Sequence, residues 1–296
     1  MKGIIIKALS GFYYVCCDNK IYECRARGNF RIGGISPLVG DYAEITVLNE
    51  KQGSIDKIYG RKNELSRPSV ANIDKLFIIS SFETPSPNAS VIDRLTAIAV
   101  YNDIQPIIVF NKCDMGDFSE WVEIYEKTGF KTLVVSANTG EGIDNIQKEL
   151  EGCVSAFTGN SGVGKSSLLN RLFGGLNLQT GDVSQKLGRG RHTTRHIELF
   201  AVNGGYVADT PGFSSIEADT DDYSFKEKLA ECFPEFDDFA NDCRFTGCSH
   251  TCEKGCAVIE AVNSGKISRT RHNSYKEIFE QLKELKPWQI AKKRKK

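Results

Sequence analysis

Over residues 1–65, short apolar runs alternate with polar positions and are punctuated by Gly, Asn and Asp, a period of two that predicts β-strands at 3–9, 12–16, 20–27, 41–48 and 54–59. Five strands without an intervening helix predict a small barrel. From residue 70 the texture changes. Continuous apolar runs at 75–80, 106–110, 132–135, 154–158 and 206–208 alternate with stretches of helical spacing at 91–101, 118–128, 143–150 and 165–172. Strands without polar alternation are buried on both faces, so this part predicts an α/β domain with a parallel sheet covered on both sides, over residues 70–216. Residues 217–296 form a third region with an acidic stretch, a Cys/His cluster and a helix at 274–285. No internal repeat interrupts this order.

The 296 residues suffice for two domains or one large domain with appendages. With 40% hydrophobic and 26% charged residues, and 38 basic against 38 acidic side chains, the composition excludes both disorder and a wholly basic coat. No apolar run approaches the roughly 18 residues that span a bilayer, so a soluble, cytoplasmic chain without a membrane partner is expected. Ten cysteines in a chain of this length predict reduced thiols rather than a disulfide scaffold. Charge is uneven. Residues 217–242 carry ten acidic against two basic side chains, whereas 266–296 carry eleven basic against three acidic. The final Lys292-Lys293-Arg294-Lys295-Lys296 reads as a cationic tail suited to phosphate contact. The barrel fits a five-stranded Greek-key barrel of the oligonucleotide-binding type, and Tyr13, Tyr14, Arg25, Arg27, Phe30 and Arg31 are its candidate nucleic-acid residues.

Gly159-Asn160-Ser161-Gly162-Val163-Gly164-Lys165-Ser166 follows one predicted strand and opens a predicted helix, the context that a phosphate-binding loop requires. Its glycines allow successive amides to point inward, and the helix N-terminus adds partial positive charge. Lys165 is expected to bridge the terminal phosphates, Ser166 to ligate magnesium, and Ser167 to lie among the nucleotide contacts. Asn111-Lys112-Cys113-Asp114 ends another predicted strand. Asp114 can accept hydrogen bonds from guanine N1 and N2, which adenine cannot offer; Asn111 would brace the pocket and Lys112 would lie over the base. Ser136-Ala137-Asn138 supplies a backbone amide toward the base oxygen. Downstream, Asp209 in Asp209-Thr210-Pro211-Gly212 is placed to hold magnesium through water, and the Gly212 amide to touch the γ-phosphate. Thr194, chosen over Thr193, is the expected magnesium ligand of the first switch.

These elements resemble GTPase signatures, in the order base, base, phosphate, switch, switch. The chain therefore looks like a circularly permuted GTPase and, with its barrel and Cys/His cluster, resembles the ribosome small-subunit-dependent GTPase A family of bacteria over about residues 1–290. The resemblance implies a monomeric GTP hydrolase that binds the 30S subunit and 16S ribosomal RNA late in subunit maturation and is activated there. Phe213 stands where many GTPases have a water-orienting glutamine, so intrinsic turnover is expected to be slow. His192 is the candidate catalytic group in the first switch, beside Lys165 and Thr194, while Arg189, Arg191 and Arg195 are candidates for stabilising charge in the transition state. The rival readings are an RNA-binding protein with a regulatory nucleotide site and a signalling GTPase with a protein effector.

Cys243, Cys248, His250, Cys252 and Cys256 offer five potential ligands where a closed tetrahedral zinc site needs four. The resemblance assigns Cys243, Cys248, His250 and Cys256 to one structural zinc ion. The ordered knuckle is expected to present Arg244, Lys254, Arg269, Arg271, His272 and Lys276 to an acidic partner, and the other six cysteines are expected to be buried apolar residues.

Overall fold

A computed structural model describes residues 1–27, 36–66, 69–83, 85–173, 197–209 and 223–285, without the side chains of Ser66, Asp209 and Tyr223. Strands β1 (Lys2–Leu9), β2 (Phe12–Cys17), β3 (Lys20–Ala26), β4 (Tyr42–Val47) and β5 (Gln52–Ile58) pair in the order β1-β2-β3-β5-β4, and β4 returns to β1 to close a barrel. The two tight turns come directly from sequence. Ser10-Gly11 and Asp18-Asn19 all adopt positive φ, the geometry that matches the twist of a two-residue hairpin. Ile5, Val15, Cys24, Ala43, Ile45 and Ile55 fill the interior.

A hairpin of β6 (Glu64–Ser66) and β7 (Ser69–Ala71) leads into the α/β unit. Its elements are β8 (Lys75–Ser81), α1 (Ala89–Tyr101), β9 (Gln105–Asn111), α2 (Ser119–Glu126), β10 (Lys131–Val135), α3 (Ile143–Leu150), β11 (Val154–Thr158), α4 (Lys165–Phe173), β12 (Glu198–Val202) and β13 (Gly205–Asp209). The sheet order is β10-β9-β8-β11-β13-β12, parallel except for β12, so the carboxyl ends of five strands share one edge. Alternation within β8 shows why both faces need cover. Phe77 and Ile79 pack with α3 and α4, whereas Leu76 and Ile78 pack with α1.

Short helical turns at Tyr223–Glu227 and Asp237–Ala240 precede α5 (Ala257–Asn263) and α6 (Arg269–Lys283). Phe225, Phe233, Phe236, Tyr275 and Ile278 belong to the same buried cluster as α1, so this part of the chain lies against the sheet's α1 face. The sequence pattern missed β12, although Asn203-Gly204, with both residues at positive φ, marks the β12–β13 turn. It also missed β6, β7 and α5, which are too short to display a period, and α6 starts at Arg269 rather than at 274. All ten cysteines are free; Cys17, Cys24 and Cys232 are buried as expected, but Cys16, Cys113 and Cys153 are only half-buried. Among the described residues no helix is long and apolar enough to cross a membrane.

One ion pair joins barrel to sheet, and a second fastens the segment that leaves the barrel. Lys7 pairs with Glu198 at 2.8 Å, across the bridge between β1 and β12. The wholly buried Asp41 receives both arms of Arg61, at 2.7 and 2.8 Å, and the Leu38 amide at 2.7 Å. Replacing one partner of such a pair leaves an uncompensated charge. Arg61→Ala should cost about 3 kcal/mol of stability, read as a lower urea midpoint, with Arg61→Lys intermediate.

Candidate functional site: a pocket at the carboxyl edge of the sheet

The strand ends place the motifs. Val135 of β10 lies in register with Asn111 of β9, Asn111 with Ser81 of β8, and Thr158 of β11 with Ile78, so the loops after β9, β10 and β11 leave the sheet side by side. That edge is where open α/β sheets bind ligands. Asp209, the last residue of β13, pairs through its backbone with Glu198 near the same edge.

Asn111 is 1% exposed and both ends of its carboxamide are bonded across sequence. Its Nδ2 donates to the Val163 carbonyl at 2.9 Å, and its Oδ1 accepts from the Ala137 amide at 3.0 Å. One side chain thus ties 111–114, 136–138 and 159–166 together. Gly164 is required twice over: its φ is +89°, and a Cβ there would run into the Asn111 amide. Gly159, with φ +143°, lies so close to the Ile79 carbonyl that no side chain fits.

Asp114 is exposed, and each carboxylate oxygen has one protein donor. The Ser136 hydroxyl donates to Oδ1 at 2.6 Å and the Asn138 amide to Oδ2 at 3.3 Å. The Ser136 bond, then Asn138 and Lys112, hold this carboxyl below its ordinary range despite some desolvation. An ionised carboxylate has about four acceptor sites, so capacity remains for two ligand N–H groups. Ser136 is wholly buried and held through backbone bonds to Glu141 and Gly140, which fixes the donor aimed at Asp114. Lys112 turns the chain in the left-handed region at φ 67° and donates to the Glu83 carbonyl at 3.3 Å.

In the phosphate loop, Lys165 folds its ammonium onto the Gly159 carbonyl and, at 3.0 Å, onto that of Asn160. Burial pushes its pKa down, a penalty that an approaching anion would offset. Ser161 and Gly162 are exposed at the loop's tip, and Ser166 and Ser167 lie half-buried in the first turn of α4. Arg171, which sequence reasoning missed, donates from α4 to the Thr139 carbonyl at 3.2 Å and so supports the 136–139 loop. His192, Thr194, Gly212 and Phe213, with Arg189, Arg191 and Arg195, lie outside the described residues, as do Phe30, Arg31 and the final basic tail.

The second cluster lies before α5. Ligand atoms of Cys243, Cys248, His250 and Cys256 all fall within 4.8 Å of one another. The Sγ atoms of Cys243 and Cys256 are 3.8 Å apart, and His250 Nδ1 lies 3.6 and 3.5 Å from them. Sulfur at about 2.3 Å and nitrogen at about 2.0 Å from a tetrahedral centre would be separated by about 3.5–3.8 Å, so this donor set fits a metal ion. Burial pushes the His250 pKa down and favours the neutral, ligating imidazole. Cys252 is exposed and outside the cluster. Two supporting residues were missed from sequence. Glu253 accepts bonds from the amides of Ser249, Thr251 and Cys252 and from the Ser249 hydroxyl; these outweigh desolvation and draw its pKa down to about 2. The Tyr275 hydroxyl holds the Ser249 carbonyl at 2.8 Å. Arg244 and Lys254 are exposed as expected, as is Arg269, and Lys276 is half-buried. Arg271 and His272 overturn the expectation of a surface role. Arg271 is wholly buried, and His272 is 5% exposed with Nε2 2.7 Å from the His250 carbonyl.

Three loops tied by one buried carboxamide at the carboxyl edge of a largely parallel sheet are the arrangement of a GTPase, and their order along the chain is that of a circularly permuted one. The sequence model of the RsgA GTPase family matches residues 58–219, that of the RsgA N-terminal domain residues 2–55, and one described as 50S ribosome-binding GTPase residues 154–286. The last begins at the strand before the phosphate loop and omits both base loops, which here come first. The small ribosomal subunit biogenesis GTPase RsgA of Caldanaerobacter subterraneus subsp. tengcongensis is 45% identical over 96% of this chain and 96% of its own length. That of Bacillus anthracis is 46% identical over 97% and 99%. The crystal structure of YloQ, described as a circularly permuted GTPase, superposes with TM-score 0.80 at 34% identity, covering 97% of this chain and 96% of that one. For YjeQ from Thermotoga maritima the TM-score is 0.83 at 32% identity, covering 96% and 99%. The chain belongs to the RsgA GTPase family.

Asn111→Ala would strand the Val163 carbonyl and the Ala137 amide, at a cost of about 2 kcal/mol. Calorimetric titration with GDP should show at least a tenfold loss of affinity. Cys248→Ser should release metal to a chromogenic chelator faster than the parent protein, whereas Cys252→Ser should match the parent.

Proposed function

We propose that the protein binds GTP with magnesium at the carboxyl edge of the sheet and hydrolyses it on the small ribosomal subunit, late in that subunit's maturation. The observation that carries this reading is the double hydrogen bond of Asn111, which ties three sequence-distant loops together at one edge of the sheet. Asp114 accepts from guanine N1 and N2 while Ser136 and Asn138 hold it in place, and a purine without those donors leaves it unsatisfied. Lys112 lies along the base. The amides of residues 159–164 and Lys165 receive the phosphates, and magnesium would be held by Ser166 and Thr194 directly and by Asp209 through water. Magnesium, when bound, neutralises charge that develops on the phosphate oxygens. Ser167 adds a phosphate contact and Gly212 senses the γ-phosphate. His192 orients the attacking water in place of the missing glutamine.

The 16S ribosomal RNA is the proposed polyanion. The barrel offers Arg25, whose guanidinium lies 4.5 Å from the Phe12 ring centre, and Arg27; the knuckle offers Arg244 and Lys254. A single structural zinc holds that knuckle, because thiolate and imidazole donors closing all four positions favour zinc and leave no position open for chemistry. The protein works as a monomer in the cytoplasm, with no membrane partner.

The test is the GTPase rate with and without purified small subunits. Subunits should accelerate turnover strongly and Lys165→Ala should abolish it; binding to the subunit should weaken steeply with salt, as phosphate contacts require. GTP bound no better than ATP, with no acceleration by subunits, would leave the RNA-binding reading with a regulatory site. Acceleration that is indifferent to salt would favour a protein effector.

A further inference from the structure

Arg271 was expected on the surface, yet it is wholly buried between two carboxylates on different parts of the chain. Its Nε and one terminal nitrogen donate to the two oxygens of Glu235 at 2.8 and 3.1 Å. The other terminal nitrogen donates to Asp93 at 2.8 Å and to the Thr96 hydroxyl at 3.3 Å, both on α1. Asp93 is itself wholly buried and accepts from the Tyr125 hydroxyl at 2.9 Å. The Arg271 fork therefore locks α6 to α1. Ser90 donates to Glu277 at 2.8 Å, and Arg94 to Gln281, extending the same seam.

The N-terminus of α1, one turn from Asp93, borders the loops of the proposed nucleotide site. Asn88 caps the helix by accepting from the Val91 amide at 3.3 Å. Pro85, Ser86 and Asn88 share a small cavity with Gly159, Asn160 and Val163 of the phosphate loop. The same connection meets the base loop, since the Glu83 carbonyl accepts from Lys112 and the Phe82 ring packs edge-on against Phe118, 5.6 Å between centres. The C-terminal part of the chain thus reaches both base and phosphate loops through α1, without passing through residues 210–222.

We propose that Arg271 is a positioning residue for the nucleotide site: by locking α1 to α6 it sets where Phe82, Glu83 and residues 85–88 stand against the phosphate and base loops. The inference rests on the reading of 159–166 and 111–114 as the GTP site. It also gives the metal knuckle a route to that site, because α6 carries Tyr275 and His272, which hold the Ser249 and His250 carbonyls of the knuckle. If metal in the knuckle changes GDP affinity through α6 and α1, linkage requires GDP to change metal affinity by the same factor.

The experiment compares the full chain with Arg271→Lys and with the milder Ser90→Ala/Glu277→Ala pair, both well below their unfolding temperatures. Lysine keeps a charge for Asp93 but cannot span both carboxylates with a planar fork. The expected result is a five- to tenfold weaker GDP Kd and an equal rise in KM for GTP in Arg271→Lys, with kcat within twofold, and about a twofold change in the pair variant. A lowered melting temperature with unchanged Kd and KM in both variants would overturn the positioning role, leaving Arg271 as a structural residue only. Should the parent chain bind no GDP, the pocket assignment itself fails, and the two failures are separated by that control.

Discussion

The carboxamide of Asn111 does two jobs through two separate atoms, an N–H donor and a C=O acceptor facing different loops. It donates to one loop and accepts from another while sitting almost wholly out of water, where either bond left unmade costs about 1–3 kcal/mol. Because its backbone belongs to β9, the position of that amide is set by the sheet, and the loops 136–138 and 159–166 are set by the amide. The ligand chemistry assigned to Asp114 and Lys165 depends on that registration, since neither residue is held by the core. Asp114 is exposed, and Lys165 rests on carbonyls of its own loop.

This dependence explains why the order of the motifs along the chain matters so little. Parallel strands deliver every loop to one edge whatever their succession, and the pocket forms from loops that are neighbours in space. What the permutation changes is the connectivity. The base loops come first, and residues beyond β13 continue into a segment whose phenylalanines, Phe225, Phe233 and Phe236, share the core of α1. The Cys/His knuckle is therefore joined to the GTPase sheet by a continuous apolar interface and by the buried Arg271 pair, a rigid arrangement compared with a module on a linker.

Charge illustrates how local composition misleads without a fold. The acidic run after residue 217 and the basic stretch after 266 suggest two solvated faces of opposite sign. In the structure Glu235 from the first and Arg271 from the second neutralise each other inside the protein, with Asp93 as third partner. Burying three charges is tolerated because the guanidinium's donors meet carboxylates and it lies against aromatic rings, 4.5 Å from the centre of Phe233.

Local pattern and spacing were enough for the barrel's five strands, for five strands and four helices of the α/β unit, and for singling out the loops 111–114, 136–138 and 159–166 that the structure brings together. Each is dictated by short-range physics: the period of apolar residues, the φ demanded of Gly159 and Gly164, and the turn chemistry of Asp18-Asn19. The four metal-site residues were named only with the help of the family resemblance, because five ligands were available and spacing could not choose among them; the structure leaves Cys252 outside by aiming it at solvent. Strand β12, which lies between β13 and β1, and the short β6 and β7 escaped notice, as they hold their shape through pairing partners rather than through any periodicity of their own. The burial of Arg271 was beyond any reading of the chain alone, since an arginine's surroundings are made by Asp93 and Glu235, 178 and 36 residues away. Sequence determined which residue types stand at the ends of the strands and in the Cys/His cluster; only tertiary packing decided which charges face water and which hold the molecule together, because desolvation depends on neighbours that the chain brings together by folding.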